Sequence, residues 1–232
     1  MGQAMTTLRN ILTTSSSLRR CGTVPVLAAA FLLSACSSEG SGDWMGIYEI
    51  AKNAWSGSAP SVTLEEAASV PYASMGVRLG DGPEVMIILA GDANGQRLWT
   101  SAAKIAITTK DGRIVRTAGF PHDLGGYVPG NNAEENGVPT VRWQGDFPDL
   151  KLYSIPILCR DKQAGDETIV ILGKDIHTRR IDESCSSESD QLAWSFENTY
   201  WVDPESGLVW RSLQHVHPQI EAIETEILRP PL

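Results

Sequence analysis

Residues 108–114 read Thr108-Thr109-Lys110-Asp111-Gly112-Arg113-Ile114, and this stretch decides the fold class. Asp-Gly is a strong signal for a tight turn between antiparallel strands, and β-branched residues lie on both sides of it. We therefore predict a β-hairpin at this position. Its register stays open between a two-residue loop and a three-residue loop with a bulge.

The segment from Trp201 to Trp210 predicts a second hairpin, because turn-forming residues separate two arms suited to strands. If its loop spans 204–207, Asp203 lies opposite Leu208 and the two tryptophans lie opposite each other. An aromatic cross-strand pair of this kind adds ~0.5–1 kcal/mol to the stability of a hairpin.

Short segments rich in Val, Ile, Thr and Trp extend the pattern from Pro71 onward, separated by turn signals such as Gly165-Asp166. Closely spaced strands with tight turns favour antiparallel pairing, so the predicted fold class is all-β, a meander forming a sandwich or a partly closed barrel. Gly119–Gly137 is rich in Gly, Pro and Asn and is predicted to be a long loop. The predicted strands are 72–79, 84–90, 96–100, 104–110, 113–118, 139–145, 152–160, 167–173, 176–182, 192–202, 208–216 and 219–228.

Two short helices are predicted before the strands. Apolar residues from Trp44 to Trp55 have a spacing close to that of an amphipathic helix. Ser61 or Thr63 is a candidate N-cap for a second helix, which would run through 65–68.

The N-terminal region is typical of a lipoprotein signal. Basic residues end at Arg20, and Val24–Leu33 is an apolar run of ~10 residues, too short to span a bilayer. Leu33-Ser34-Ala35-Cys36 resembles a bacterial lipobox, which implies cleavage before Cys36 and lipidation of its thiol. We expect a signal peptide at 1–35, a lipidated Cys36 with a flexible tether at 36–43, and one β-rich periplasmic domain at 44–232. An Asp directly after the lipidated cysteine usually retains a lipoprotein at the inner membrane. Ser37 occupies that position here, so the resemblance favours the periplasmic face of the outer membrane.

The charge is uneven along the chain. Residues 1–35 contain three arginines and no acid, so the remainder carries 16 basic and 28 acidic residues, a net charge of −12. An acidic domain of this kind is repelled by nucleic acid, which is therefore excluded as a partner, and contact with a membrane is expected only through the lipid anchor.

Cysteine usage predicts one disulfide. Cys21 leaves with the signal and Cys36 takes lipid, so Cys159 and Cys185 remain in an oxidising compartment. Their pairing would close a loop of 26 residues, which is worth ~3 kcal/mol in the chain-entropy estimate. Two buried thiols or a metal pair are the alternatives.

Several segments resemble one family when they are taken in order. Asp111–Phe120, followed by His122-Asp123-Leu124, resembles its Gly-Arg signature, although Phe120 stands where the family often has Leu. Asn198–Asp203 and Gly207–Gln214 resemble its second signature. Together with the lipobox, they are similar to the YjbF/GfcB family of group 4 capsule and exopolysaccharide lipoproteins. The resemblance implies an all-β fold and a role in making or exporting surface polysaccharide, and it carries over no catalytic residue.

Candidate contacts with a glycan or a partner protein come from these two segments. The guanidinium groups and hydroxyl of Arg113, Arg116 and Thr117 could bind an acidic sugar, or the arginines could pair with acids on neighbouring strands. Most of the seven tryptophans are expected to fill the core, although an exposed one would suit a sugar ring. The complete candidate set is Arg113, Arg116, Thr117, Trp201, Asp203, Trp210, Arg211 and Gln214.

Enzyme motifs are absent from the sequence, and we expect no catalytic residue, cofactor or metal. His215 and His217 are predicted to be surface or strand-edge residues and a poor metal site. Glycoside hydrolysis needs two carboxyl groups at a defined separation, and Asp203, Glu205, Glu197, Asp146 and Asp149 have no spacing that selects a pair.

The sequence thus predicts a non-enzymatic outer-membrane lipoprotein that supports exopolysaccharide or capsule assembly or export. Its expected partners are polysaccharide-export proteins, the polysaccharide itself, or both. A polysaccharide-modifying hydrolase or lyase is the alternative, and a structural lipoprotein with no glycan role is a third possibility.

Overall fold

The computed structural model describes residues 61–130, 133–135 and 138–231, and these are mostly β-strand. One α-helix precedes the strands, α1 at Leu64–Ser69. Thr63 rather than Ser61 caps it: the Thr63 Oγ1 accepts a hydrogen bond from the Glu66 N–H, and the Glu66 carboxylate accepts one from the Thr63 N–H, a complete capping box. The predicted helix at Trp44–Trp55 and the lipobox lie outside the described residues.

Among the residues that the structure describes, thirteen strands form one antiparallel sheet. Twelve of them follow the order β5-β4-β3-β2-β1-β13-β12-β11-β10-β9-β8-β6, and β7 pairs with β8 beside this path. The strands are β1 Ser74–Leu79, β2 Val85–Ala93, β3 Gln96–Thr100, β4 Ala106–Lys110, β5 Arg113–Ala118, β6 Gly126–Pro129, β7 Ala133–Glu135, β8 Val138–Phe147, β9 Leu152–Ile171, β10 Lys174–Ser187, β11 Ser195–Val202, β12 Val209–Gln214 and β13 Ile223–Arg229.

The two ends of this path, β5 and β6, lie side by side, so the sheet is nearly closed as a barrel. The Thr117 N–H donates to the Leu124 carbonyl at 3.0 Å where the chain passes from β5 towards β6. Side chains alternate between the two faces of each strand, so every second residue points into the interior. Large apolar side chains at these positions form the core. The predicted all-β class with antiparallel pairing and partial closure is confirmed.

The Asp111-Gly112 turn is a two-residue loop. Asp111 and Gly112 have φ values of 51° and 79°, and Lys110 pairs directly with Arg113. Two positive φ values match the twist of the flanking strands, and this explains the Asp-Gly sequence. A separate register shift lies further along the hairpin, between Thr108 and Thr109.

The second hairpin has the predicted loop but not the predicted aromatic pair. The Asp203 N–H donates to the Leu208 carbonyl at 2.8 Å, as expected for these opposing residues. A register shift between Trp201 and Val202 then places Trp201 opposite Arg211 instead of Trp210. The extra residue of the bulge, which no turn signal indicates, moves Trp210 out of register.

Strand β9 runs through the predicted turn at Gly165-Asp166. Gly165, with φ 117°, lies at a register shift between β9 and β10, and the chain turns later, at Leu172 and Gly173. Gly in a strand often marks such an irregularity, so the turn prediction was wrong. Cys159 and Cys185 are directly opposite in this pair of strands, and they form the predicted disulfide.

The predicted long loop between Gly119 and Gly137 contains two short strands. Residues of β6 pair with β8 from Gly126 to Pro129, and β7 pairs with β8 further along. Gly and Pro are tolerated at the edge of a sheet, where one side of the strand needs no partner, so their presence did not exclude strands here.

Most of the described tryptophans lie in or against the core. Trp99 is 1% exposed, and Trp143, Trp194 and Trp210 are half-buried against the apolar cluster. Trp201 is half-buried on the outer face of β11. Four of the five described tryptophans thus agree with the prediction that most of them fill the core, and Trp44 and Trp55 lie outside the described residues.

Candidate functional site

A buried carboxylate, Glu183 on β10, is the centre of a polar network in the interior of the sheet. Its side chain is 1% exposed, and one carboxylate oxygen forms an ion pair with the Arg113 guanidinium. The other accepts hydrogen bonds from Asn198 Nδ2 at 2.8 Å and from the Tyr200 hydroxyl at 3.3 Å. Both oxygens are therefore satisfied, as a buried charge requires.

Arg113, on β5, reaches across the interior between two aromatic rings. Its guanidinium carbon lies 4.7 Å from the centre of the Trp143 ring and 5.5 Å from that of Tyr200. Burial opposes the charged form, but the Tyr200 hydroxyl and the Glu183 carboxylate outweigh it and raise the pKa of Arg113. The guanidinium remains charged, and stacking on the rings adds to the ion pair in holding it.

Gln214, on β12, binds the backbone of the Asp111-Gly112 hairpin as a neighbouring strand would. Its Oε1 accepts from the Ile114 N–H at 2.9 Å, and its Nε2 donates to the Gly112 carbonyl at 3.0 Å. Gly112 packs against Val209, where an added Cβ would lie 2.2 Å from the nearest Val209 carbon. The hairpin is thus fixed against β12 in a position that only glycine permits.

Asp161, on β9, lies directly opposite Glu183 in the register of β9 and β10. Opposing residues point to the same face of a sheet, so the two carboxyl groups are neighbours. Although the residue is exposed in part, desolvation of its carboxyl, followed by repulsion from Glu183, raises the pKa of Asp161.

A cleft of 370 Å³ opens beside this network. Its aromatic walls are Trp143 and Tyr200, and the charged side chains that line it are Lys110, Asp111, Arg113 and Asp161. The volume is typical of a site for a small ligand or a short segment of a polymer. The remaining lining residues are Pro129, Val141, Ile181, Val202, Gly207 and Val209.

The two signature segments of the sequence meet at this cleft. Arg113 comes from the first signature, and Asn198, Tyr200 and Gln214 come from the second. They are far apart in the chain, and the curvature of the sheet brings them within hydrogen-bonding distance of Glu183 or of one another. Of the predicted contact residues, Arg113 lines the cleft, and Gln214 lies in the network next to it, where its Oε1 accepts from the Tyr200 hydroxyl at 3.4 Å.

Four other predicted contact residues lie elsewhere. The Thr117 hydroxyl donates to Asp123 at 2.9 Å and accepts from the Leu124 N–H, so it orders the chain after β5. Arg116 is exposed on β5. Trp201 and Arg211 are on the outer face, where Arg211 forms ion pairs with glutamates of β13. The structure therefore does not bring the eight candidate residues together in one place.

Asp203 and Trp210 belong to the second hairpin turn. The Asp203 carboxylate accepts hydrogen bonds from the Ser206 and Glu205 N–H groups and from Trp210 Nε1, the last at 3.4 Å. The two backbone hydrogen bonds lower the pKa of the Asp203 carboxyl. These contacts give Asp203 a role in the turn.

A second polar cluster joins three connecting segments through Asp149. One carboxylate oxygen contacts His122 Nδ1 at 2.5 Å, and the other contacts His217 Nε2 at 3.1 Å. The Gln219 N–H donates to His217 Nδ1, so the proton of neutral His217 is on Nε2 and is donated to Asp149. This tautomer does not offer the Nε2 lone pair to a metal, so the geometry describes a hydrogen-bonded cluster.

The prediction of surface or strand-edge histidines was wrong for His217, which is 0% exposed. It packs edge-on against Phe147 and stacks on His122 at 5.1 Å. Strand β12 ends at Gln214, so both histidines lie in the connection that follows it, where the chain directs His217 into the interior. Burial of the imidazole, only partly offset by Asp149, lowers the pKa of His217.

Sequence reasoning missed Glu183 and Asp161, which the structure places at the centre of the site. One signal was available: Ile181, Glu183 and Cys185 are spaced as residues on one strand face would be, and Ile and Cys are among the residues most often buried. A glutamate between inward-facing residues needs a buried cation, and Arg113 provides it.

Comparisons with known proteins agree on one family. Residues 47–228 match the family described as "Group 4 capsule polysaccharide lipoprotein gfcB, YjbF". The chain is 26% identical over 180 residues to the "Uncharacterized lipoprotein GfcB" of Escherichia coli K12, covering 73% of this chain and 82% of the relative. It is 24% identical over 220 residues to the "Uncharacterized lipoprotein YjbF" of the same organism, covering 88% and 96%.

A solved structure has a similar fold. The crystal structure of the hypothetical lipoprotein YmcC from Escherichia coli K12 superposes with a TM-score of 0.58 at 21% identity. The match covers 81% of this chain and 96% of that one. At this identity the likeness concerns the fold, and it agrees with the nearly closed antiparallel sheet.

Proposed function

The chain belongs to the YjbF family of group 4 capsule polysaccharide lipoproteins, and from this premise we propose that it is a non-enzymatic accessory factor in exopolysaccharide or capsule assembly or export. It acts at the periplasmic face of the outer membrane, held there by lipid on Cys36. It binds polysaccharide in the cleft beside Arg113 and contacts polysaccharide-export proteins with its outer surface.

The lipid anchor is supported by the lipobox at Leu33–Cys36 and by the description of two relatives as lipoproteins. Among the residues that the structure describes, no helix is both long and apolar enough to span a bilayer. Several acyl chains at one cysteine hold a protein firmly to a membrane, whereas one chain holds it only marginally. Anchoring near an export channel raises the local concentration of the domain around its partners, so a site of low affinity is enough for binding.

The anchor is tested by intact-mass analysis and membrane fractionation of the wild type, Cys36→Ser and Cys21→Ser. We expect the wild type and Cys21→Ser to start at a lipidated Cys36 and to fractionate with the outer membrane. Cys36→Ser should keep its first 35 residues or lose lipid. An unmodified thiol at Cys36 in the wild type contradicts the proposal.

The observation that carries the binding role is the convergence of both family signatures on one cleft. Aromatic walls and apolar side chains can pack on the C–H faces of sugar rings, while Lys110 and Asp161 can bond hydroxyl groups. Trp143 lines the cleft, and its Nε1 is a buried donor without a partner among the described residues. Such a donor is satisfied when a hydroxyl or a water binds there.

Hydrolysis is the second candidate, because Asp161 and Glu183 form a carboxyl pair in unlike environments. A glycosidase needs both carboxyl groups within reach of the scissile bond. Glu183 is 1% exposed and both its oxygens are bonded within the protein. This arrangement favours binding over catalysis, and release of new reducing ends from the native polymer is the assay that would reverse that preference.

The role of the cleft is tested in cells that lack the chain and receive either wild type, Asp161→Asn or Asp175→Asn. Both aspartates are exposed on the β9–β10 hairpin, but Asp175 does not line the cleft. At equal protein abundance, we expect Asp161→Asn to change the amount or length of surface polysaccharide and Asp175→Asn to match wild type. An unchanged polysaccharide in cells without the chain contradicts the accessory role.

A further inference from the structure

We infer that the cleft selects uncharged sugar residues and disfavours uronate-bearing segments. This inference rests on the proposed binding of polysaccharide and names the chemical class bound. Of the two alternatives that the sequence left open for Arg113, it builds on pairing with an acid of another strand and not on binding of an acidic sugar.

The cation that could have bound a carboxylate is already neutralised. The Arg113 guanidinium pairs with Glu183, which Asn198 and Tyr200 hold in place from the other side. Two aromatic rings also border the guanidinium, whose carbon lies 4.7 Å from the centre of the Trp143 ring and 5.5 Å from that of Tyr200. A sugar carboxylate would have to displace a buried ion pair, which costs more than an exposed pair would.

The charges that remain at the cleft are mostly negative. The charges of Arg113 and Glu183 cancel each other. Among the described residues that line the cleft, the other charged side chains are Lys110, which is positive, and Asp111 and Asp161, which are negative. A carboxylate in the cleft would meet two like charges and one opposite charge, so its net interaction with these side chains is repulsive. The acidity of the whole chain, −9 in formal net charge, adds to this repulsion.

The same residues suit neutral sugars. Carboxylates of Asp111 and Asp161 accept hydrogen bonds from hydroxyl groups, and the Lys110 ammonium donates to ring or hydroxyl oxygens. Val141, Ile181 and Val202 provide the apolar wall for the C–H faces of the rings. An uncharged segment therefore gains these contacts without bringing a negative charge into the cleft.

The test uses the full chain and matched fragments of the polysaccharide made by the source cells. Each size-defined fragment is compared with its charge-altered counterpart: acidic fragments after reduction of their carboxyl groups, neutral ones after oxidation of C6 hydroxyls to carboxylates. Binding is measured by calorimetry at two salt concentrations. We expect the uncharged member of each pair to bind at least tenfold tighter, with salt narrowing the difference.

The variant Asp161→Asn, with Asp175→Asn as the control, checks the cause. Asp161→Asn, which removes the charge, should bind the charged fragments several fold more tightly than the wild type does. Asp175→Asn should keep the wild-type preference for uncharged fragments. Equal or tighter binding of the charged fragments by the wild type overturns the inference while leaving the glycan site intact. Binding of neither member at millimolar concentration overturns the glycan site, and the inference with it.

Discussion

The substitution Arg113→Met removes the cation of the buried pair and leaves Glu183 without its counter-charge. Glu183 is 1% exposed, and its remaining partners, Asn198 and Tyr200, supply hydrogen bonds but no charge. Loss of one partner from a buried ion pair destabilises a protein by about 3–5 kcal/mol. Such a loss is a large share of the roughly 5–15 kcal/mol that stabilises an ordinary domain.

Urea unfolding followed by tryptophan fluorescence measures this effect, with the disulfide kept oxidised. The double variant Arg113→Met/Glu183→Gln should recover most of the loss, because no unpaired charge remains and the Gln oxygen still accepts from Asn198 and Tyr200. Arg116→Met, at an exposed position of the same strand, is the control and should stay within about 0.5 kcal/mol of wild type.

Two results would refute the reasoning. One is a single variant within about 1 kcal/mol of wild type, which would mean that Glu183 does not depend on the guanidinium. The other is a double variant no more stable than the single one, which would assign the loss to packing against Trp143 instead of to charge.

Three further predictions follow from other contacts. Gln214→Met should cost about 2–4 kcal/mol in urea unfolding, because the Ile114 N–H and the Gly112 carbonyl both lose their partner; a loss under about 0.5 kcal/mol would show that water replaces it. Cys159→Ser/Cys185→Ser should lower stability by ~3 kcal/mol relative to the oxidised wild type, whereas equal urea midpoints would contradict a stabilising disulfide. Desolvation opposes the charged form of Asp149, but the hydrogen bonds from His122 and His217 outweigh it and lower the pKa of the carboxyl. The stability that these hydrogen bonds provide is therefore present above the usual aspartate pKa and is lost as pH falls through the lowered value. Asp149→Asn should therefore be less stable than wild type at pH 7 and should lose less stability on acidification, as urea midpoints at pH 7 and pH 3 will show; parallel pH curves would argue against it.

Local patterns predicted those parts of the fold that depend on neighbours in sequence. Asp111-Gly112 specified its turn because that pair tolerates two positive φ values, and alternation of β-branched residues located most strands within a few residues. Predictions failed where a bulge intervened, at Gly165 and beside Trp201, because one extra residue shifts the register without leaving a clear signal.

The candidate site was less predictable than the strands. Arg113 and Gln214 were identified as candidate contacts from the signatures alone. The structure shows the alternative given for Arg113, pairing with an acid of another strand, and it uses Gln214 inside the protein as well. Glu183 and Asp161 carried no motif. They matter because Asp161 on β9 lies directly opposite Glu183 on β10, and because β5 brings Arg113 to Glu183. Both contacts join segments that are distant in the sequence.

By itself, the sequence determined the strand-rich class, the two hairpin turns, the cysteine pair and the acidic charge of the chain. Each depends on residue type and short-range spacing. The tertiary structure alone decided that Arg113 would be neutralised, that His217 would be buried, and that a cleft would form with a negative balance of charge. These outcomes depend on which strands curl together, because burial and pairing of charges are set by neighbours in space.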